Sequence, residues 1–239
     1  MDRSARSNLP HRRGARGLNR DLVVDAALRS IDLHGTQGLS MRKLAQDLDV
    51  EAMSLYRYVT GREDILEAVV TRLLDGVTAA LDDQLAQTWQ GYLQTLAHTV
   101  RTLALEHPRT FPLVATRHPA APWLRPPLRS LEVVEHFLTT LTGFGFTDDQ
   151  VVGTYRSFSS FLLGHLLLEA AVRGAETSPA EEPLDEGDAQ IGNRDAEVDL
   201  PPDSEVLRLR TKLSEDRGEE EFEVSLETLH DRIELQVSQ

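Results

Sequence analysis

The sequence predicts an all-α protein in two parts: an N-terminal three-helix domain built around a helix–turn–helix, and a larger helical C-terminal domain. Three observations predict it. Apolar residues recur at spacings of three and four through most of the 239 residues, as in Trp89, Leu93, Leu96, Val100 and Leu103. Alternating β-branched runs, the mark of strands, are nearly absent. Helix-start signals of the form Thr-x-x-Glu/Gln precede apolar stretches at Thr60 to Glu63 and at Thr147 to Gln150.

Residues 1–17 are rich in Arg, Ser and Gly and have no apolar period, which predicts a disordered basic arm. Up to residue 20, six arginines (Arg3, Arg6, Arg12, Arg13, Arg16, Arg20) face one acid, Asp2. Such an arm either stays solvated or follows the backbone or minor groove of a duplex. The first helix has Asn19 as its cap and Leu18 with Val23 as a hydrophobic staple. It turns Val23, Ala27, Leu28 and Ile31 inward and stops at Gly35. The second helix is capped by Ser40, stapled by Leu39 and Leu44, and striped by Leu44 and Leu48. A turn follows over Asp49, Val50 and Glu51, with Asp49 tolerating the left-handed conformation that ends such a helix. The third helix runs through Val59, turns Leu55 and Val59 inward, and leaves Ala52, Met53, Ser54, Arg57 and Tyr58 outward. A long amphipathic helix then carries Ile65, Leu66, Val69, Val70, Leu73, Leu74 and Val77 to about Leu81.

The second part starts near Trp89 with a helix that ends before Pro108. A short apolar segment, Phe111 to Ala115, leads into a proline-rich loop from His118 to Pro127. Leu128, Leu131, Val134, Leu138 and Leu141 mark the next helix, stopped by Gly143 and Gly145. The helix opened by Thr147 is apolar nearly all round from Val151 to Leu167, with Leu166 near its C-terminal end. A helix of that kind must be covered on every side, and a second subunit is the economical source of the missing cover. Residues from about 174 to 202 turn acidic and aperiodic, a flexible loop. Phe222, Leu226, Leu229 and Ile233 then set a last amphipathic helix over about Glu219 to Gln236.

The net charge of −14 does not oppose an anionic partner at the N-terminal half. From Gly174 onward there are 20 acidic and 6 basic residues, which carry all of it. The chain has no cysteine, so disulfides and thiolate chemistry are excluded. No apolar run reaches the roughly 18 residues of a membrane span, and the N-terminus has no apolar signal segment, so a cytoplasmic protein without a membrane partner is expected. Motifs such as G-x-S-x-G, the P-loop and H-E-x-x-H do not occur, and no two of the eight histidines stand three or four apart. No cofactor, metal or enzymatic activity is expected.

The blocks Leu39 to Gln46, Ser54 to Val59 and Arg62 to Leu66 resemble, in residues and spacing, the DNA-binding domain of the TetR family of bacterial repressors. The resemblance spans roughly Leu18 to Thr78. It implies a basic arm over 1–17, a helix–turn–helix domain over 18–78 with its reader at 40–59, and a ligand-binding and dimerisation domain over 79–239. It also implies a homodimer on a near-palindromic double-stranded operator, released by a small-molecule effector. Arg42 is expected to read guanine, while Ala52 and Met53 suit a thymine methyl. Ser54, Tyr56, Tyr58 and Arg62 are expected at phosphates, with Met41 and Arg57 in the same DNA-facing set. The family pairs its last helix with the all-apolar one at the dimer interface, which would place Leu166 there.

The second part is more loosely similar to the tetracycline-repressor subgroup, which implies a pocket walled by Leu96, Val100, Leu113, Thr116, Arg117, Phe137 and Tyr155. Where that subgroup holds its drug and magnesium with two histidines and an asparagine, this sequence has Thr78, Leu96 and Leu113. A largely apolar effector without a metal is therefore expected. Two other classes are compatible with the residues: a ligand-independent DNA-binding regulator or activator of the same fold, and an all-α small-molecule enzyme or carrier.

Overall fold

The computed structural model describes residues 17–75, 77, 81, 87–175, 201 and 203–238, and every regular element among them is helical. Residues 1–16 of the expected basic arm, most of the segment 76–86 with Thr78, and most of the expected acidic loop lie outside the described residues. The chain divides into two compact units, residues 1–176 and 177–239.

In the first unit α1 (Arg20–His34) is capped as expected, Asn19 accepting a hydrogen bond from the Leu22 N–H at 2.8 Å. It ends on Gly35, whose φ of 70° lets its N–H return to the Ile31 carbonyl at 2.7 Å. Three residues on, Gly38 passes so close to His34 that a Cβ would come within 2.5 Å of the His34 Cβ. Only glycine fits there, and the approach folds the chain back sharply into α2 (Met41–Asp47). A short α3 (Ala52–Leu55) follows, and then α4 (Arg62–Leu73). Packed chiefly against α1, α4 buries Ile65, Leu66, Val69, Val70 and Leu73 opposite Val23, Ala27 and Ile31. Each of these large side chains contributes roughly 1.5–3 kcal/mol to the fold. The helical period expected to run on to Leu81 is interrupted, since α4 ends at Leu73 and a turn follows at Leu74 and Asp75.

Beyond it α5 (Trp89–Glu106) is capped by Thr88, and a 3-10 segment follows at Phe111–Ala115. Then come α6 (Leu131–Gly143) and α7 (Asp148–Val172). The expected capping box of α7 is complete: Thr147 Oγ1 accepts from the Gln150 N–H while the Gln150 side chain accepts from the Thr147 N–H. α7 packs against α5, α6 and the 3-10 segment and is the spine of this region. A two-pronged Arg101–Glu169 ion pair at 2.8 and 3.2 Å ties it to α5.

The burial of α7 corrects the sequence expectation for Leu166, which is 0 % exposed within the single chain. The face left open is a stripe at every fourth residue: Val152, Arg156, Ser160, Gly164, Leu168 and Val172. Neighbours four apart adjoin, but each is turned about 40° from the last, so the open line winds around α7, with Gly164, Leu168 and Val172 adjacent at its C-terminal end and Leu166 outside it.

The second unit contains α8 (Glu205–Leu213) and α9 (Gly218–Val237). Phe222, Leu226 and Ile233 of α9 are buried, at the spacing the sequence predicts, whereas Leu229 is only half-buried.

Candidate functional site

The helix pair α2–α3 is joined by a tight turn. The Asp49 N–H donates to the Gln46 carbonyl at 3.1 Å and the Val50 N–H to the Ala45 carbonyl at 2.9 Å. This double bond pattern needs a left-handed residue at its centre, and Asp49 supplies it with φ of 52°. Ser40 caps α2, its Oγ accepting from the Lys43 N–H at 3.2 Å. Behind the turn Leu44 and Leu55 are fully buried and Val59 nearly so, which fixes the pair to the domain. The expected third helix is much shorter than its apolar spacing suggests. Only Ala52–Leu55 is helical, and Tyr56 to Tyr58 continue as turn.

None of the nine residues expected to face DNA is buried. Arg42, Met53, Tyr56, Arg57 and Arg62 are exposed, while Met41, Ala52, Ser54 and Tyr58 are partly covered. Met53 stands out as an apolar side chain 74 % exposed. Arg62 is partly spent inside the protein, because its Nη2 donates to the Thr36 carbonyl at 2.9 Å and so braces the turn before α2.

At the start of α4 the expected Thr60–Glu63 capping box does not form. Asp64, one residue later, takes its place and accepts from the Thr60 N–H at 2.7 Å and from Thr60 Oγ1 at 3.2 Å. Its carboxylate also receives Arg20 from α1, with Nη2 to Oδ1 at 2.6 Å and Nη1 to Oδ2 at 3.3 Å. Arg20 Nη1 reaches on to the Tyr58 carbonyl at 2.7 Å. Glu63 is left exposed and turns to Arg129. A carboxylate with an arginine and a backbone donor together is the stronger cap. The signal that could have found it is an acidic residue at the third position of α4, reachable only by knowing that α1 crosses there.

These bonds hold the Asp64 carboxyl down to about 2, the Arg20 guanidinium being the first cause and the Thr60 N–H the next. A depressed carboxyl stabilises the fold fully above its unfolded value of about 4, and that contribution is lost as pH falls through about 2. Asp64→Asn is therefore expected to cost roughly 1 kcal/mol at neutral pH. In urea titrations its deficit against the natural protein should narrow as the pH drops below about 4. A deficit that does not change with pH would show that the charge of Asp64 contributes nothing.

Further along the same unit a small apolar cavity, open in part, lies between α5, α6 and α7. Leu96, Val100, Phe137 and Tyr155 from the expected pocket line it, with Phe158 and Leu162 among the others. Leu113, Thr116 and Arg117 do not. Leu113 is buried elsewhere, the Thr116 hydroxyl turns back to the Leu113 carbonyl, and Arg117 is exposed. The 3-10 segment that carries Leu113 presents Val114 to the cavity instead. Tyr155 and Ser159 bring the only hydroxyls among the described lining side chains, and none of those side chains is charged. Burial pushes the Tyr155 hydroxyl up to about 12, so it stays a donor, and it gives its proton to the Pro126 carbonyl at 2.9 Å. The cavity measures about 40 Å³, space for a few waters at most.

The cavity also touches α4. Leu74, the residue that caps the C-terminal end of α4, is part of its wall. The loop that closes the cavity holds α4 at two further points. Buried Arg129 donates to Glu63 at 3.2 Å, and His118 stands 3.5 Å from Glu67. Among the described residues no group of His, Asp and Glu could hold a metal ion, and no helix is long and apolar enough to cross a membrane.

Two family descriptions match the chain: "Bacterial regulatory proteins, tetR family" over residues 23–69, and "Tetracyclin repressor-like, C-terminal domain" over residues 83–237. The transcriptional repressor DrrR1 of Streptomyces coeruleorubidus is 31% identical over 159 residues, which make up 64% of this chain and 56% of that protein. The class D tetracycline repressor of Escherichia coli is 29% identical over 224 residues, covering 92% of this chain and 91% of that protein. Among solved structures, a possible TetR family regulator from Streptomyces coelicolor A3(2) superposes with a TM-score of 0.64 at 25% identity, covering 91% of this chain and 99% of that one. A TetR variant from Acinetobacter baumannii AYE, solved with minocycline, has the same TM-score at 22% identity, over 93% of this chain and 96% of that one. At that identity the likeness shows the fold alone.

Proposed function

This chain belongs to the TetR family of bacterial regulatory proteins, and from that membership we propose a homodimeric transcriptional repressor that leaves its operator when an uncharged, largely apolar molecule enters the cavity. In this reading each subunit sets Ala52–Tyr58 into the major groove of one half-site, with Arg42 on a guanine and Met53 against a thymine methyl. The other expected contacts hold phosphates and fix the register.

The observation that carries the proposal is the position of α4. Its N-terminal end is bonded to the reader through Thr60 and Asp64, and Leu74 at its other end forms part of the cavity wall. At about 40 Å³ the cavity admits no ordinary effector, since such ligands need pockets of roughly 300 Å³ or more. Binding therefore requires the walls to part, and Leu74 is one of those walls. An effector selects the opened state and the operator selects the closed one, so each weakens the other by the same factor. The lining decides the effector's chemistry. With no charged side chain among the described residues of the wall, a charged ligand would lose its hydration without a counter-ion. One acceptor on the ligand could take the Tyr155 hydroxyl from Pro126.

The test has two steps. Sequences retained from random duplex DNA should converge on a near-palindrome, and a panel of apolar and charged small molecules should then be screened for release. Convergence with release by uncharged apolar compounds is the expected result. Failure to enrich any sequence would remove the operator, and release by charged compounds alone would remove the apolar effector.

A further inference from the structure

We propose that Arg20 and Asp64 form a clamp that sets the orientation of the reader, so that discrimination between DNA sequences depends on it while attraction to DNA in general does not. The inference rests on the reading that Ala52–Tyr58 enters the major groove.

A helix as short as Ala52–Leu55 cannot hold its own shape, because one turn is no more than a helix nucleus. Its direction must be imposed by what is fastened to its ends. The leading end is held by the backbone bonds of the turn at Asp49 and Val50. The side chain of Leu55 is buried, an apolar pivot that resists translation but makes no directional bond of its own. The trailing end is where polar bonds gather. The Tyr58 carbonyl accepts from Arg20 at 2.7 Å, and Thr60 gives its N–H and hydroxyl to Asp64 at 2.7 and 3.2 Å. Arg20 and Asp64 close the triangle with bonds of 2.6 and 3.3 Å.

Three elements thus meet at one guanidinium: the first residue of α1, the third residue of α4, and the end of the reader. A planar guanidinium can satisfy a carboxylate and a carbonyl together in a fixed geometry. A lysine ammonium offers the charge without the fork. Base edges demand side chains placed to a fraction of an ångström, whereas the attraction of phosphates for basic groups acts over a Debye length. Loosening the clamp should therefore harm base readout far more than general DNA binding.

The experiment compares the natural protein with Arg20→Ala, Arg20→Lys and Asp64→Asn. Each is titrated with the selected operator and with a scrambled duplex of equal length at several salt concentrations, after circular dichroism has established the melting temperature. The ratio of operator to scrambled affinity should fall about tenfold in Arg20→Ala, and comparably in Arg20→Lys. Affinity for the scrambled duplex and the salt slope in Arg20→Lys should stay as they were. If Arg20→Ala fails to fold, Arg20→Lys carries the same comparison. Equal losses on both duplexes, with a salt slope reduced by about two in the Arg20→Ala dimer, one per subunit, would make Arg20 a phosphate contact and overturn the proposal. A ratio unchanged in all three variants, or restored by lysine, would overturn it too. Should the natural protein itself fail to prefer its operator, the groove reading falls instead, so the two failures are told apart.

Discussion

Leu168→Glu is expected to give a folded monomer with little hold on its operator, whereas Leu166→Glu, two residues earlier on the same helix, is expected to unfold the subunit. The difference follows from burial. Leu166 is 0 % exposed within its own chain, so a carboxylate there would sit in the core with no partner and cost several kcal/mol, a large part of the stability of any domain. Leu168 is 71 % exposed and lies on the open stripe of α7. A charge at that position costs the isolated subunit almost nothing. If the stripe pairs across a two-fold axis, two carboxylates meet in a closing interface and the dimer is lost. Sedimentation equilibrium at micromolar protein checks the assembly, and circular dichroism checks the fold. A Leu168→Glu protein that stays dimeric and keeps its operator affinity would exclude the stripe as the interface.

Arg42→Ala is expected to weaken operator binding by roughly 30-fold or more, because the dimer loses two forked contacts to guanine, each carrying about 1–3 kcal/mol. The loss should be confined to one base pair in each half-site, and the selected sequence should keep its two-fold symmetry. Arg42 is exposed on α2 and has no ion pair among the described residues, so removing it should leave the melting temperature unchanged. In that it differs from Arg20 and Arg62, whose guanidiniums are engaged with Asp64 and with the Thr36 carbonyl. Selection of binding sequences with the variant measures the effect. A uniform loss on every sequence would assign Arg42 to a phosphate.

Asn19, Ser40 and Thr147 were legible as caps because a cap is a bargain struck within four residues, and all three accept the backbone bonds their spacing predicts. Asp49 was legible for the same reason, since the left-handed turn is decided by its own backbone. The box at Thr60 failed where a distant residue entered. Glu63 has the right spacing, but Arg20, 44 positions away from Asp64, makes Asp64 the better acceptor. The pocket divided in the same way. Leu96 and Val100 lie on the inward stripe of α5, whose period is visible in the chain, and Phe137 and Tyr155 are bulky apolar-bodied residues of the next two helices. Leu113, Thr116 and Arg117 lie on or beyond the 3-10 segment, where no helical period says which way a side chain points.

By itself the sequence determined the elements of this protein and the family they form, because periodicity, caps and turn residues act over a few positions and leave a local record. Only the tertiary structure decided which faces of those elements are spent. It covered Leu166 and left Leu168 open, set Arg20 on the carbonyl of Tyr58, and put Leu74 of the reader's supporting helix into the wall of a small apolar cavity. Each of these depends on how separate helices cross, and a helix that is apolar on every side carries no mark of which side its neighbours will take.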